Sequence, residues 1–210
     1  MKTTFETPSK IGTHFILMLL AIWFLGAFAV AASGAMQAPG PFRAAAAILL
    51  PVVIFCGLMG WNAAFRRGIG HLSIRSLILV HLLRFFGFLF LLFNGRGLAP
   101  EWAVPAAWGD IVVAALAGPM AWLATPIDRP ARWWSVMAFN LAGIADIIAA
   151  PATAVLQSLR EPASMDAMTR LPLGLVPAFF VPLAICAHIA LSLRLFELKR
   201  ASGKRAANAL

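Results

Sequence analysis

Six long apolar runs dominate the chain and constrain its fold more than any other feature. The runs are apolar on all sides, rather than at helical or alternating spacing, which is typical of helices in lipid or in a bundle core. About 20 apolar residues are enough to cross the ~30 Å hydrocarbon core of a bilayer. We therefore predict an all-α integral membrane helical bundle of six transmembrane helices, forming a single domain over 1–210. The predicted spans are approximately 11–33, 44–64, 72–93, 110–125, 133–159 and 171–196.

Composition and charge support a membrane protein and exclude several other classes. Only 12% of the residues are charged and 61% are hydrophobic, whereas soluble domains are about 25% charged. The net charge is +9, but the basic residues fall at the ends of apolar runs, without the basic stripe of a nucleic-acid binder. Both cysteines, Cys56 and Cys186, lie within predicted helices, so no disulfide framework is expected. We expect the lipid bilayer as partner, no nucleic acid, and a homo-oligomer or a partner membrane subunit as a further option.

The distribution of Lys and Arg predicts the orientation. Twelve of these residues fall on the side of the two termini and four on the other side, while Arg84 lies within the membrane. Because cytoplasmic loops carry an excess of Lys and Arg, we predict that both termini are cytoplasmic, including a short basic tail over 197–210. The first apolar run is longer than the ~7–15 residues of a signal peptide, so we expect it to be retained as a helix.

Arg84 lies in the middle of the third apolar run and needs a partner. An arginine at the bilayer centre costs about 3 kcal/mol on insertion scales, and more in simulations. Asp146 in the fifth run is the best candidate, because each residue lies about twelve positions from the inner end of its span, roughly 18 Å up. Two roles stay open for this pair: a structural ion pair that fixes helix register, or part of a path for a solute or protons.

Neighbouring polar residues extend this pair into a predicted seam between spans three and five. His81 lies three residues before Arg84, on the same helix face. Asn140 also lies on span five, and we expect it on the same helix face as Asp146. The predicted intramembrane polar seam therefore consists of His81, Arg84, Asn140 and Asp146.

Two histidines fall at similar depth on different helices. We estimate His81 and His188 at roughly 14 and 12 Å above the inner boundary. Such a pair is able to ligate a haem axially or to share a metal, although two hydrogen-bonded packing histidines are the simpler interpretation and the one favoured here. Since no haem-attachment motif occurs, we predict no metal and no cofactor, with haem b through His81 and His188 as the alternative.

A second candidate site lies at the start of the predicted fourth span. Asp110 comes directly after Trp108-Gly109, at the end of the predicted loop 94–109, where a carboxylate is able to cap the helix. The alternative is an outer-face site formed by Asp110, Trp108 and Glu101. No nucleophile elbow, Walker loop or zinc-protease motif occurs, so the catalytic residues are unknown and an enzyme is not favoured.

The sequence contains four patterns: Arg84-x-x-Gly87, Pro105-Ala106-Ala107-Trp108-Gly109-Asp110, Asn140-x-x-Gly143-x-x-Asp146 and Pro177…Pro182…His188. Together they resemble a family of small bacterial multi-pass membrane proteins known only as hypothetical proteins. The resemblance covers roughly 72–196 and implies a bacterial cytoplasmic (inner) membrane, without an activity to transfer. Three functions stay open: a transport, sensing or accessory protein with a buried polar seam, a haem- or metal-binding redox protein, and a membrane enzyme with a site near Asp110.

Overall fold

The structure is a computed structural model that describes residues 10–37 and 41–207. Over these ranges the chain is helical and contains no β-strand. Lys2, one of the basic residues behind the predicted orientation, lies outside the described residues. The same holds for Pro39 and Gly40, between the first and second predicted spans.

Eight α-helices make up the described fold. Short 3₁₀ segments at Val80–Phe86 and Pro162–Thr169 and a π-helical segment at Val176–Phe180 connect or extend them. The α-helices are α1 (Lys10–Ala32), α2 (Phe42–Trp61), α3 (Ala63–Gly70), α4 (Ile74–Leu79), α5 (Gly87–Leu92), α6 (Pro100–Leu123), α7 (Pro130–Arg160) and α8 (Val181–Ala207).

Five helical stretches are long and apolar enough to cross a membrane, which confirms the predicted helical class. They correspond to predicted spans two to six, and α1 contributes a shorter apolar helix at Ile16–Ala32. The five stretches are Phe42–Trp61, Ile74–Leu92, Pro100–Leu123, Pro130–Arg160 and Val176–Gly203.

Much of the surface is apolar and one cluster of charged groups lies inside, the reverse of a soluble domain. Trp61 and Leu123 are 93% and 74% exposed, whereas Arg84 is 1% exposed. An apolar surface of this extent is what lipid, rather than water, solvates well. The bundle is therefore suited to a bilayer.

The bundle has two ends, which we name after a residue at each. At the Ser164 end, the turn before α6 meets the 3₁₀ segment after α7, and the backbone N–H of Ala99 donates to Ser164 O at 2.8 Å. At the Thr125 end, the Arg75 guanidinium donates to Thr125 Oγ1 at 3.1 Å. One apolar core lies near each end.

Helix α6 begins at Pro100, ten residues before the predicted start of the fourth span. Proline is favoured at the first helical position, where its missing N–H is not needed. Gly95 and Gly97 adopt positive φ angles of 69° and 88°, so a short turn replaces most of the predicted loop. As a result, Asp110 lies in the interior of α6 instead of capping its start.

The third and sixth spans also depart from regular α-helix. The third span passes through seven residues of 3₁₀ helix at Val80–Phe86, where side chains three residues apart eclipse each other. This places His81 and Arg84 in one row. The sixth span begins at Val176 rather than 171 and continues to Ala207, so most of the predicted tail is helical.

Candidate functional site: a buried charged centre

Arg84 is the centre of a buried charged cluster between three helical spans. Its Nε donates a hydrogen bond to Asp110 Oδ1 at 2.7 Å, and its Nη2 donates to Asp146 Oδ2. Its Nη1 donates to the backbone carbonyl of Gly143 at 3.3 Å. The structure thus brings Arg84 and Asp146 together, and it adds Asp110 as a second carboxylate partner from α6.

The cluster contains one guanidinium and two carboxylates. The Asp110 side chain is 4% exposed, while that of Asp146 is 25% exposed. Buried charges are costly unless they are paired and hydrogen-bonded. With both carboxylates ionised, the centre carries an excess of one negative charge, which a bound cation or a proton would balance.

Three glycines allow the helices to approach closely around this cluster. A Cβ at Gly109 would lie 2.7 Å from Asp146 Cγ, and one at Gly87 would lie 2.8 Å from the carbonyl oxygen of Ala107. A Cβ at Gly143 would lie 2.7 Å from His188 Nε2. Small residues are typical of helix interfaces in membranes. Here they also position the charged groups within hydrogen-bonding distance.

His81 and His188 form a stacked pair beside Arg84. Their ring centroids lie 3.9 Å apart with 24° between the planes. His188 Nδ1 shares a hydrogen bond with Asn140 Oδ1 at 2.8 Å, and Asn140 Nδ2 donates to Ser192 Oγ at 2.7 Å. Within the described part of the chain, neither ring nitrogen of His81 has a hydrogen-bond partner. The same is true of His188 Nε2.

The stacked histidines do not have the geometry of an axial haem pair. Axial ligands lie on opposite sides of the macrocycle with a nitrogen directed at the iron. A separation of 3.9 Å between His81 and His188 leaves no room for a macrocycle between the rings, so both rings would have to move apart. Among the residues described, no group of three or more His, Cys, Asp and Glu side chains is arranged to hold a metal.

The residues of the predicted outer-face site are not brought together. Trp108 is 55% exposed, and Glu101 is an exposed residue that accepts a hydrogen bond from Gln157 Nε2 at 3.1 Å. Asp110 instead lies inside the bundle against Arg84. The sequence feature that predicts the buried position of Asp110 is Pro100, because a helix that begins there places Asp110 inside the bundle.

Two cavities reach the charged centre from the Ser164 end. One of about 470 Å³ includes Asp110, Phe90 and Trp102 in its lining, and exposed Arg170 lies at its rim. The other, of about 380 Å³, follows α7 and includes Asp146 and Arg160.

A hydrogen bond crosses the wall between the two cavities. Trp102 and Ala150 line both cavities, and Trp102 Nε1 donates to the Ala150 carbonyl at 2.9 Å. Each carboxylate of the centre is therefore associated with its own cavity.

An all-helical bundle with apolar helices on its surface and an ion-paired cluster inside is typical of integral membrane proteins. The chain belongs to the family of the domain of unknown function DUF8737, whose model matches residues 41–196. This match includes every residue of the charged centre and confirms the resemblance to an uncharacterised family. No curated protein and no solved structure matches the chain.

Proposed function

We propose that this protein is a six-span protein of the bacterial cytoplasmic membrane whose charged centre binds a small solute or ion for transport, sensing or an accessory role. Both termini lie in the cytoplasm, and the Ser164 end faces outward. The site consists of Arg84, Asp110 and Asp146, with His81, Asn140 and His188 alongside. The excess of carboxylate over guanidinium favours a cation as the ligand.

The observation that carries this proposal is that the two carboxylates of one buried cluster each line a separate cavity. An ion pair that only fixes helix register needs no access from outside. On the opposite side, the apolar core at the Thr125 end, which includes Ile78, Val136 and Leu191, closes the path. A site reached from one end and sealed at the other is the arrangement that binding from one side of a membrane requires.

Small cations should stabilise the protein through Asp146. We expect sodium, potassium or ammonium chloride to raise the melting temperature of the detergent-purified protein above its value in N-methylglucamine chloride of equal ionic strength. A ligand at 100 times its Kd contributes about 2.7 kcal/mol. Asp146→Asn should abolish the increment, whereas Asp128→Asn should retain it, because Asp128 is an exposed partner of Arg132.

The alternative, a purely structural ion pair, gives a different result in the same assay. The four salts would then give equal melting temperatures. The charge exchange Arg84→Asp with Asp146→Arg would partly restore the stability that each single substitution removes. That combination of results would rule out the proposed site.

The proposed orientation predicts which loops a membrane-impermeant maleimide reaches in intact cells. In a background with Cys56→Ala and Cys186→Ala, we expect labelling of Asp166→Cys, at the Ser164 end, before permeabilisation. Arg129→Cys, at the Thr125 end, should label only afterwards. Both positions are exposed in the bundle, so equal accessibility after permeabilisation is the control. Labelling in the reverse order would contradict the orientation.

A further inference from the structure

The larger cavity combines an apolar body with a single buried acid. The buried part of its lining is apolar or aromatic and includes Phe90, Ile147, Val176 and Val181, with Asp110 as the buried ionisable residue. Its volume of about 470 Å³ is in the range of sites for small organic molecules, about 300–1,000 Å³. The cavity is therefore too large and too apolar to be a site for a bare metal ion alone.

Asp110 has capacity for a further hydrogen-bond donor. Its Oδ1 accepts from Arg84 Nε at 2.7 Å, and over residues 10–37 and 41–207 no hydrogen bond to its Oδ2 is found. Since Arg84 is shared with Asp146, a second positive charge beside Asp110 would neutralise the cluster. A neutral or anionic head group would leave it unbalanced.

Two aromatic rings line the same cavity as this carboxylate. Phe90 and Trp102 pack with their ring centroids 5.1 Å apart. Aromatic side chains offer large apolar contact surfaces. These rings therefore provide a surface for the apolar body of a ligand whose charged head pairs with Asp110.

We propose that the cavity at Asp110 binds a small lipophilic amine as its ammonium ion, with the amine head at Asp110 and the apolar body against Phe90, Trp102 and Val181. This inference rests on the proposed function, because it assigns a ligand class to the same charged centre. The amine enters from the Ser164 end, where the rim of the cavity is polar and includes Arg170 and Asp166.

Three adamantane derivatives of nearly equal shape test the head group directly. At pH 7, 1-adamantylamine is a cation, because aliphatic amines have pKa values near 10.4, while 1-adamantanol is neutral and adamantane-1-carboxylate is anionic. In equilibrium binding to the detergent-purified protein, we expect the amine to bind at least tenfold more tightly than the alcohol. The carboxylate should bind more weakly than both.

Two acids of the same cavity provide a matched pair of variants. Asp110→Asn should reduce the affinity for the amine to that for the alcohol without changing the alcohol's affinity. Asp166→Asn, at the exposed rim, should keep the tenfold preference. Comparing the amine-to-alcohol ratio between variants cancels partitioning of the probes into micelles.

A further variant covers the case in which Asp110→Asn does not fold. Ala154→Phe would fill the cavity from α7 without touching the charged residues, and both the amine and the alcohol should then lose binding. Retained amine binding in this variant would place the amine elsewhere and overturn the proposal.

Other outcomes separate this inference from the function on which it rests. Equal binding of amine and alcohol to the unmodified protein, or tighter binding of the carboxylate, would also overturn it. If small cations still act through Asp146, only the amine assignment fails. If neither the small cations nor the amine bind, the proposed function fails with it.

Discussion

Replacing Arg84 with alanine should lower the free energy of unfolding by about 3–5 kcal/mol, the cost of breaking a buried ion pair by removing one partner. Arg84 makes three hydrogen bonds, to Asp110, to Asp146 and to the Gly143 carbonyl. Its loss leaves two carboxylates in an apolar interior without a cation. Unfolding of the purified protein in mixed micelles with increasing denaturing detergent measures this difference.

A partly exposed arginine in an ion pair provides the control for this substitution. Arg194 pairs with Glu197 at 2.9 Å, but the two side chains are 30% and 58% exposed. Exposed ion pairs contribute about 0–1 kcal/mol, so Arg194→Ala should have little effect. Equal losses in the two variants would show that the charged centre does not stabilise the bundle.

Removing all three charges together should cost less than removing Arg84 alone. Replacing a buried ion cluster with apolar or neutral residues of similar size is often neutral for stability, because no uncompensated charge remains. The triple variant Arg84→Met, Asp110→Asn and Asp146→Asn should therefore be more stable than Arg84→Ala. A triple variant less stable than the single one would mean that specific hydrogen bonds, and not charge balance, dominate the centre.

The level of the charged centre within the bundle follows from the sequence by counting. The rise per residue of a helix is fixed, so Arg84 and Asp146, each about twelve residues from the same end of their spans, fall at one depth. The structure brings the two into contact. Counting works here because it needs only the helix ends and not the rotation of one helix about its axis.

Rotation and irregular backbone are the features that counting misses. Counting predicts His81 and His188 at similar depth, but their stacking depends on how α8 is rotated toward the third span. The alignment of His81 with Arg84 in one row depends on a 3₁₀ segment, for which the sequence carries no clear signal. Helix boundaries in stretches rich in Gly and Pro are also hard to predict by counting, because the same residues start helices and form loops.

Asp110 illustrates the consequence of such a boundary. With α6 starting at Asp110 the carboxylate would be a helix cap near the membrane surface. With α6 starting at Pro100 it lies three turns inside the helix and pairs with Arg84. A ten-residue difference in one helix boundary thus changes Asp110 from a helix cap at the surface into one of the two carboxylates of a buried cluster.

Gly87→Ala should destabilise the protein by about 1–3 kcal/mol, the usual cost of overpacking a well-packed interior. The added Cβ would lie 2.8 Å from the carbonyl oxygen of Ala107 and 2.9 Å from Asp110 Cβ. Both are parts of α6 that are unable to rotate away, so the third span and α6 must separate. This movement would also lengthen the 2.7 Å contact between Arg84 and Asp110. Gly87→Ala should therefore weaken the proposed binding of the amine at Asp110 as well as lower the free energy of unfolding.

Gly57→Ala is the matched control, because nothing lies within 4 Å of a Cβ at this position of α2. There the intrinsic helix preference of alanine over glycine, up to about 1 kcal/mol, should leave the protein unchanged or slightly stabilised. A double variant of Gly87→Ala with Arg84→Ala separates the two effects of Gly87. If the close approach at Gly87 acts mainly by holding Asp110 against Arg84, the two losses will be less than additive, since contacting residues couple. Full additivity would show that Gly87 only allows packing, and that Asp110 reaches Arg84 without help from the glycine.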